Sequence, residues 1–205
     1  MINIERIDIL NELFNAIHHN DIDSVQSILI NDPHVVRHST GDTLKSPLQE
    51  AIQNSRLEIA QLIIETKDNV NFMVQGELKN WQQPILHIAI SEALNHSRYP
   101  RPQRDGPKND GVLFDKHVEL LKLLLDKGAD VHGQDTFGNT PLMRAVLDVI
   151  NIDLGIVDIE FEEDIRRVFG LLIDKGSDIR EATDTRKSIL ELYRNHKVMK
   201  YIPKG

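Results

Sequence analysis

Nine histidines, thirty-two carboxylates and no cysteine define the side-chain chemistry open to this chain. His18 and His19 are adjacent, so on a helix they point about 100° apart and cannot simply share a metal. His34 and His38 are four apart, but Pro33, Ser39, Thr40 and Gly41 make their surroundings a loop. No ligand spacing joins the histidines to Asp or Glu, so the expectation is no metal and no cofactor. The carboxylates gather in one stretch: Asp148, Asp153, Asp158, Glu160, Glu162, Glu163 and Asp164, with no Lys or Arg among them. Neighbouring carboxylates can act as general acid and base, and Asp158 with Glu160 would be the pair for an enzyme built on this stretch. A calcium loop is the wrong reading, because Ile156, Val157, Ile159 and Phe161 interrupt the oxygens. A solvated or partner-facing acidic patch is the simpler one. No phosphate-binding glycine loop, nucleophile elbow or paired-histidine zinc motif is present. The expectation is therefore a protein without catalytic residues.

Composition narrows the classes further. The chain has 205 residues, enough for one domain or a short repeat array. It is 40% hydrophobic and 27% charged, as a folded protein is, but only 5% aromatic, so its core must be aliphatic. Lys and Arg number 24 against 32 Asp and Glu, a net charge of -8. An acidic chain is a poor nucleic-acid binder, since phosphates demand a basic surface. A protein partner with a basic surface suits it better. The absence of cysteine fits a reducing compartment. No apolar run reaches the ~18 residues of a membrane span, and acids break up the start, Met1-Ile2-Asn3-Ile4-Glu5-Arg6-Ile7-Asp8. The expectation is a cytoplasmic protein with no leader and no membrane, monomeric in isolation. Asn95-His96-Ser97 is a glycosylation triplet only in form, without such a leader.

What must position these residues is a repeated helix pair. Leu123-Leu124-Leu125-Asp126-Lys127-Gly128-Ala129-Asp130-Val131 matches Leu171-Leu172-Ile173-Asp174-Lys175-Gly176-Ser177-Asp178-Ile179 at an offset of 48 residues. Val118, Leu121, Leu124 and Leu125 share one helical face. Gly128 suits the helix end, where positive φ is easy. Asp135 and Gly138 supply turn chemistry, and Thr140-Pro141 caps and starts the next helix.

The stretch GADVHGQDTFGNTPL, Gly128 to Leu142, resembles the ankyrin repeat over its whole length. Weaker copies open at Ser46-Pro47-Leu48-Gln49-Glu50-Ala51-Ile52 and Pro84-Ile85-Leu86-His87-Ile88-Ala89-Ile90. Leu13-Phe14-Asn15-Ala16-Ile17 looks like a degenerate first copy, and Ser188-Ile189-Leu190-Glu191-Leu192-Tyr193 like a last one. The resemblance implies an all-α solenoid of stacked helix pairs with short β-hairpin fingers. The expected organisation is a single domain over 1–205 with about five copies: 9–38, 39–71, 72–132, 133–180 and a capping copy, 181–205. His87 falls at the family's usual first-helix histidine, which implies a structural role, bonding loop backbone.

Two copies carry insertions. The first, 95–113, holds Arg98, Arg101, Arg104 and Lys108, with three prolines and two glycines. The second, 148–164, is the acidic stretch. Both fall between the two helices of their copies, so stacking should bring them side by side. They dock on each other, are tolerated surface loops, or form a second partner site, with Arg98, Arg101, Arg104, Asp158, Glu160 and Glu162 as its residues. The finger before the third copy is also long, and it carries the sole tryptophan, Trp81. Trp81 is either an anchor for a partner or a lid over the preceding finger.

The resemblance further implies protein binding on a concave face of finger tips and first helices. By position that face comprises His18, His19, Thr43, Lys45, Gln53, Asn54, Trp81, Gln83, Ser91, Glu92, Thr136, Phe137, Asn139, Leu147 and Asp148. The function expected is a non-enzymatic adaptor or stoichiometric inhibitor, for example of antitoxin or immunity type. An effector that binds its target inside another cell is the alternative, and an enzyme using the insertions a third.

Overall fold

The computed structural model describes residues 4–37, 45–66, 70–75, 80–100, 109–152 and 157–203. Helices follow one another in pairs: α1 (Ile4–His19) with α2 (Ile22–Asn31), α3 (Pro47–Gln53) with α4 (Leu57–Thr66), α5 (Ile85–Asn95) with α6 (Val112–Asp126), and α7 (Pro141–Asn151) with α8 (Ile159–Asp174). A short α9 (Ile189–Tyr193) and a 3₁₀ turn (Lys197–Lys200) form the last pair. The first members pack in series, α1 on α3 on α5 on α7. The second members form an outer layer, α2 on α4 on α6 on α8. This is the all-α ankyrin-type solenoid.

Local chemistry explains the helix starts. Ser46, Thr140 and Ser188 each accept a hydrogen bond from the backbone N–H three residues on, and Pro47 and Pro141 occupy the first turn. Asp21 and Asp158 cap α2 and α8 in the same way. The small residue that lets neighbouring first helices approach is buried in each of four copies: Ala16, Ala51, Ala89 and Ala145. Around it runs one continuous core, largely aliphatic as composition demands, with Phe114, Phe161 and Phe169 as its fully buried aromatic rings beside Tyr201. The charged groups Arg194, Lys197 and Lys200 lie exposed on the terminal copy.

The structure departs from the sequence reading in three places. α1 begins at Ile4, ahead of residue 9. Much of the 148–164 insertion is helix, because α7 runs on to Asn151 and α8 starts at Ile159. Burial of Phe161, Asp164 and Ile165 on one face, behind the Asp158 cap, extends the helix backwards instead of leaving a loop. Finally, among the described residues only the third finger forms strands: β1 (Met73–Gln75) pairs antiparallel with β2 (Gln82–Pro84), with Val74 opposite Gln83. The fourth finger closes instead as a turn, Gly138 N–H donating to the Asp135 carbonyl at 2.9 Å and Asp135 N–H to the Asn139 carbonyl at 3.0 Å.

Two glycines at positive φ provide a test of this stacking. At Gly128 (φ 85°) a methyl group would meet nothing within 4 Å, whereas at Gly138 (φ 75°) it would lie 2.1 Å from Thr185 Oγ1 and 2.7 Å from Thr183 Oγ1. Gly128→Ala should cost about 1 kcal/mol from backbone strain alone. Gly138→Ala should cost clearly more, since it also wedges the fourth finger from the fifth copy. Urea unfolding midpoints of the two variants check the order, and equal losses would refute the close approach.

Candidate functional site

The fingers of the third and fourth copies are bolted together at their tips. Thr136 is the bolt: its N–H donates to the Gln82 carbonyl at 2.9 Å, its hydroxyl donates to the same carbonyl at 3.0 Å, and that hydroxyl accepts from Gln82 N–H at 2.8 Å. Trp81 Nε1 donates to Asp135 Oδ2 at 3.3 Å, and its ring lies 6.2 Å from that of Phe137. Phe137 remains 48% exposed and Met73 47%. The tryptophan is therefore half-buried against the following finger, not folded over the preceding one. Its indole N–H needs an acceptor, and Asp135 supplies one on that side.

A second bracket holds the same copies further back. Asn71 donates to the Gly128 carbonyl at 2.8 Å and accepts from Asp130 N–H at 2.7 Å. Between the fourth and fifth copies, Thr183 Oγ1 donates to the Gly138 carbonyl at 3.0 Å, and His132 Nδ1 meets Glu181 at 2.9 Å. The fingers thus form a row of tips held by cross-repeat hydrogen bonds.

Polar pairs also link the first helices on the inner layer. Glu50 gathers His18 Nε2 at 2.8 Å, Asn54 Nδ2 at 2.7 Å and Lys45 Nζ at 3.3 Å. Burial would raise the Glu50 pKa, but these partners outweigh it and hold the carboxyl below its ordinary value. Asp148 pairs with Arg144 and accepts from Ser91 Oγ at 2.7 Å. There burial wins, and the Asp148 pKa is raised despite Arg144 and Ser91. Glu92 lies 4.0 Å from His96 Nε2. His19 bonds the Asn15 carbonyl at 2.9 Å, within its own helix.

The predicted concave residues accordingly fall into groups. Trp81, Phe137 and Thr136 come together at the finger tips. His18 and Lys45 converge on Glu50 and Asn54, and Ser91 joins Asp148. Gln53 and Leu147 are half-buried beside these pairs. Gln83 and Asn139 need correcting, as each is only 4% exposed. Gln83 faces inward opposite Val74 in the ladder, and Asn139 Nδ2 donates to Asp135 Oδ2 at 2.8 Å. Such side chains shape the face without presenting themselves on it. Thr43, Arg101 and Arg104 lie outside the described residues.

In the second candidate patch, Arg98 binds the fully buried Asp164, with Nη2 2.6 Å from Oδ1 and Nε 3.1 Å from Oδ2. Its backbone N–H donates to Asp164 Oδ2 at 2.8 Å, and Glu160 and Glu163 stand at 3.5 and 3.7 Å from its guanidinium. The Tyr99 ring packs 5.8 Å from that of Phe161. The two insertions therefore touch through Arg98 and Tyr99, so Arg98 is committed within the protein. Asp158 serves as the α8 cap, and Glu162 pairs with Arg166 at 2.8 Å.

Sequence reasoning missed Glu50 and Arg144. Both occupy the position before the small alanine of their copies, so the repeat register could have named them. It also missed a cluster at the inter-helix turns, where the Ser55 hydroxyl lies 3.2 Å from both His96 Nε2 and His117 Nε2. Among the described residues, no group of three or more His, Asp or Glu is arranged to hold a metal, and no helix is long and apolar enough to cross a membrane.

His87 is fully buried beneath the fingers, facing Asp135 and the Gly133 backbone. The ring lies against the Gly133 backbone, the loop contact expected of it, and beside Asp135. Burial lowers its pKa to about 4, and burial with the neighbouring His96 does the same for His117.

Residues 112–147 match the family model described as ankyrin repeats in many copies. Over 152 residues, 66% of this chain, the sequence is 28% identical to the ankyrin repeat and SOCS box protein 6 of Homo sapiens and equally to that of Pongo abelii. The chain spans 34% of the length of these curated relatives.

The two buried histidines predict the pH response of the array. Each is neutral in the fold, with a pKa near 4, and becomes protonated near 6.5 when unfolded. The unfolded chain therefore binds more protons between these values. Stability is complete above about pH 6.5 and falls as pH drops toward 4, by roughly 3 kcal/mol for each histidine. Urea unfolding at pH 7.5, 6 and 5 should show this loss, and His87→Gln should shrink the slope. A flat profile in the natural chain would contradict the burial of both rings.

Proposed function

We propose, from the premise that this chain is an ankyrin-repeat array, that it acts as a non-enzymatic binding module and grips one protein partner across its concave face. Ankyrin repeats are protein-interaction units, and this array supplies what such a unit needs. The observation that carries the reading is the finger-tip patch. Trp81 and Phe137 stand together, fixed by the Thr136–Gln82 bonds and by Asp135, with half the Phe137 surface in water. An aromatic pair held in place before binding loses little freedom on binding, so most of its buried area counts toward affinity.

The inner helices supply the polar remainder. His18, Lys45, Glu50 and Asn54 form one cluster, Ser91, Arg144 and Asp148 another, and Glu92 stands beside His96. Partners that meet these groups will be selected by charge pattern. With a net charge of -8, attraction at a distance favours a partner with a basic surface and speeds its arrival. We read the chain as an adaptor or stoichiometric inhibitor on these grounds.

The test is positional cross-linking followed by affinity measurement. A photoreactive residue at Phe137, on the tips, should capture a partner that one at Lys122, on the outer helix α6, does not. For the captured protein, Trp81→Ala with Phe137→Ala should weaken binding by about 100-fold, as the loss of two anchors predicts. Its association should slow as salt rises. Capture only from Lys122, or unchanged affinity in the double variant, would overturn the concave-face reading.

A further inference from the structure

The cluster of Ser55, His96 and His117 lies at the inter-helix end of the stack, where it joins three separate segments of the array. Ser55 sits in the turn between α3 and α4, His96 just beyond α5, and His117 in the second turn of α6. The rings of His96 and His117 are stacked, with centroids 4.6 Å apart and planes 14° from parallel. Both present Nε2 to the one Ser55 hydroxyl, at 3.2 Å each. Ser55 holds a φ of 54°, a conformation that side chains other than Asn and Gly rarely adopt. The hydroxyl is thus held at a point of contact between the second and third helix pairs, which also pack through α3 on α5 and α4 on α6.

The hydrogen-bond arithmetic gives the cluster a direction. A hydroxyl has one proton, so it can donate to only one of the two rings. His117 is 1% exposed, and its Nδ1 has no partner among the described residues. A proton on that Nδ1 would be a buried donor without an acceptor, which is costly. His117 therefore carries its proton on Nε2 and donates it to Ser55, and the Ser55 hydroxyl donates onward to His96 Nε2. The chain of bonds leads to the ring nearer solvent, since the His96 side chain is 27% exposed, with Glu92 Oε2 4.0 Å away.

A proton added from solvent to His96 Nε2 occupies the lone pair that the hydroxyl was using. His96 then donates to Ser55, both rings point N–H groups at one oxygen, and the hydroxyl proton loses its acceptor. A second proton, on His117, would set two cations in stacked contact, so the pair titrates as one coupled unit. Among the described residues, few charged groups surround the cluster. Glu92 on α5 has Oε2 4.0 Å from His96 Nε2. Glu58 on α4, with Lys116 and Glu119 on α6, borders the outer groove that Ser55 also lines. Arg56 is turned away to the His18 carbonyl, and on the α8 side Arg167 is held by Asp115 at 2.5 Å.

We propose that Ser55, His96 and His117 form a proton-responsive joint, which locks the second helix pair to the third while both rings are neutral and loosens when His96 takes up a proton. The joint sets the spacing between the inner helices α3 and α5, and so adjusts the concave face from behind it.

Backbone amide hydrogen exchange of the full chain, corrected for the intrinsic pH dependence of exchange, tests this. Between pH 7.5 and 5.5 the amides of residues 54–57 and 95–97 should lose protection by about tenfold or more relative to those of residues 143–146, which lie in another copy. Ser55→Gly suits the positive φ and removes the CH2OH group that carries the hydroxyl, so it should fold and abolish the selective change. His117→Gln keeps a side-chain N–H donor but cannot titrate, and should preserve a one-step response from His96. Uniform exchange across the natural chain would overturn the proposal, and so would a selective change that survives in Ser55→Gly. These readouts need no partner, so they stand or fall apart from the binding function.

Discussion

Four N–H donors converge on one buried carboxylate, and the exposed part of the array depends on it. Asp135 is 5% exposed. Its Oδ1 accepts from the backbone of Phe137 at 2.9 Å and of Asn139 at 2.8 Å, and its Oδ2 accepts from Asn139 Nδ2 at 2.8 Å and Trp81 Nε1 at 3.3 Å. No cation is needed, because enough donors replace the water the group has lost. The consequences run in both directions along the stack. The fourth finger is closed without a strand ladder, which fixes Phe137 at the tip. The third finger is tied to it through the tryptophan. Beneath them His87 stays neutral and buried.

The same economy recurs wherever one copy meets the next. A helix pair cannot bury its own apolar face, so neighbours supply the burial, and side-chain hydrogen bonds set the register between them. Asn71 performs this between the feet of the third and fourth fingers, and Thr183 between the fourth and fifth copies. Arg98 performs it at the far end, where the chain departs most from a regular repeat. Its guanidinium takes up the one carboxylate that α8 buries completely, Asp164. A buried acid without that partner would be costly, so the extra length between α5 and α6 and the backward extension of α8 form one unit. Gly111, with a φ of 85°, opens α6 directly against Arg98, where a methyl group would lie 3.0 Å from Cδ.

Stacking of this kind separates the two faces of the molecule. Toward the fingers, aromatic and polar groups are held from below and left partly in water. Toward the inter-helix turns, three titratable groups are turned inward: His117, Asp164 and, at the margin, His96. On the proposed reading, a protein partner meets the first set and protons act on His96 and His117 in the second.

The sequence by itself determined the repeat. Gly128 to Leu142 carries its turn, cap and helix start in contiguous residues, and the buried alanines of four copies set the register, because these are local rules of backbone geometry and of close helix approach. It also determined that Trp81 and Phe137 belong to the finger tips. Only the tertiary structure decided how the side chains there are spent. That Trp81 turns to the following finger rests on the place of Asp135, 54 residues further along the chain. That Gln83 faces inward rests on a two-strand register with Met73–Gln75. The acidic stretch looked like a loop because its carboxylates dominate the pattern. One of them, Asp164, is buried, and it could be read as such only once Arg98, 66 residues earlier, was seen to reach it. The meeting of Ser55, His96 and His117 has no signature along the chain at all, since stacking of the second copy on the third creates it from an inter-helix turn, a helix end and a helix interior.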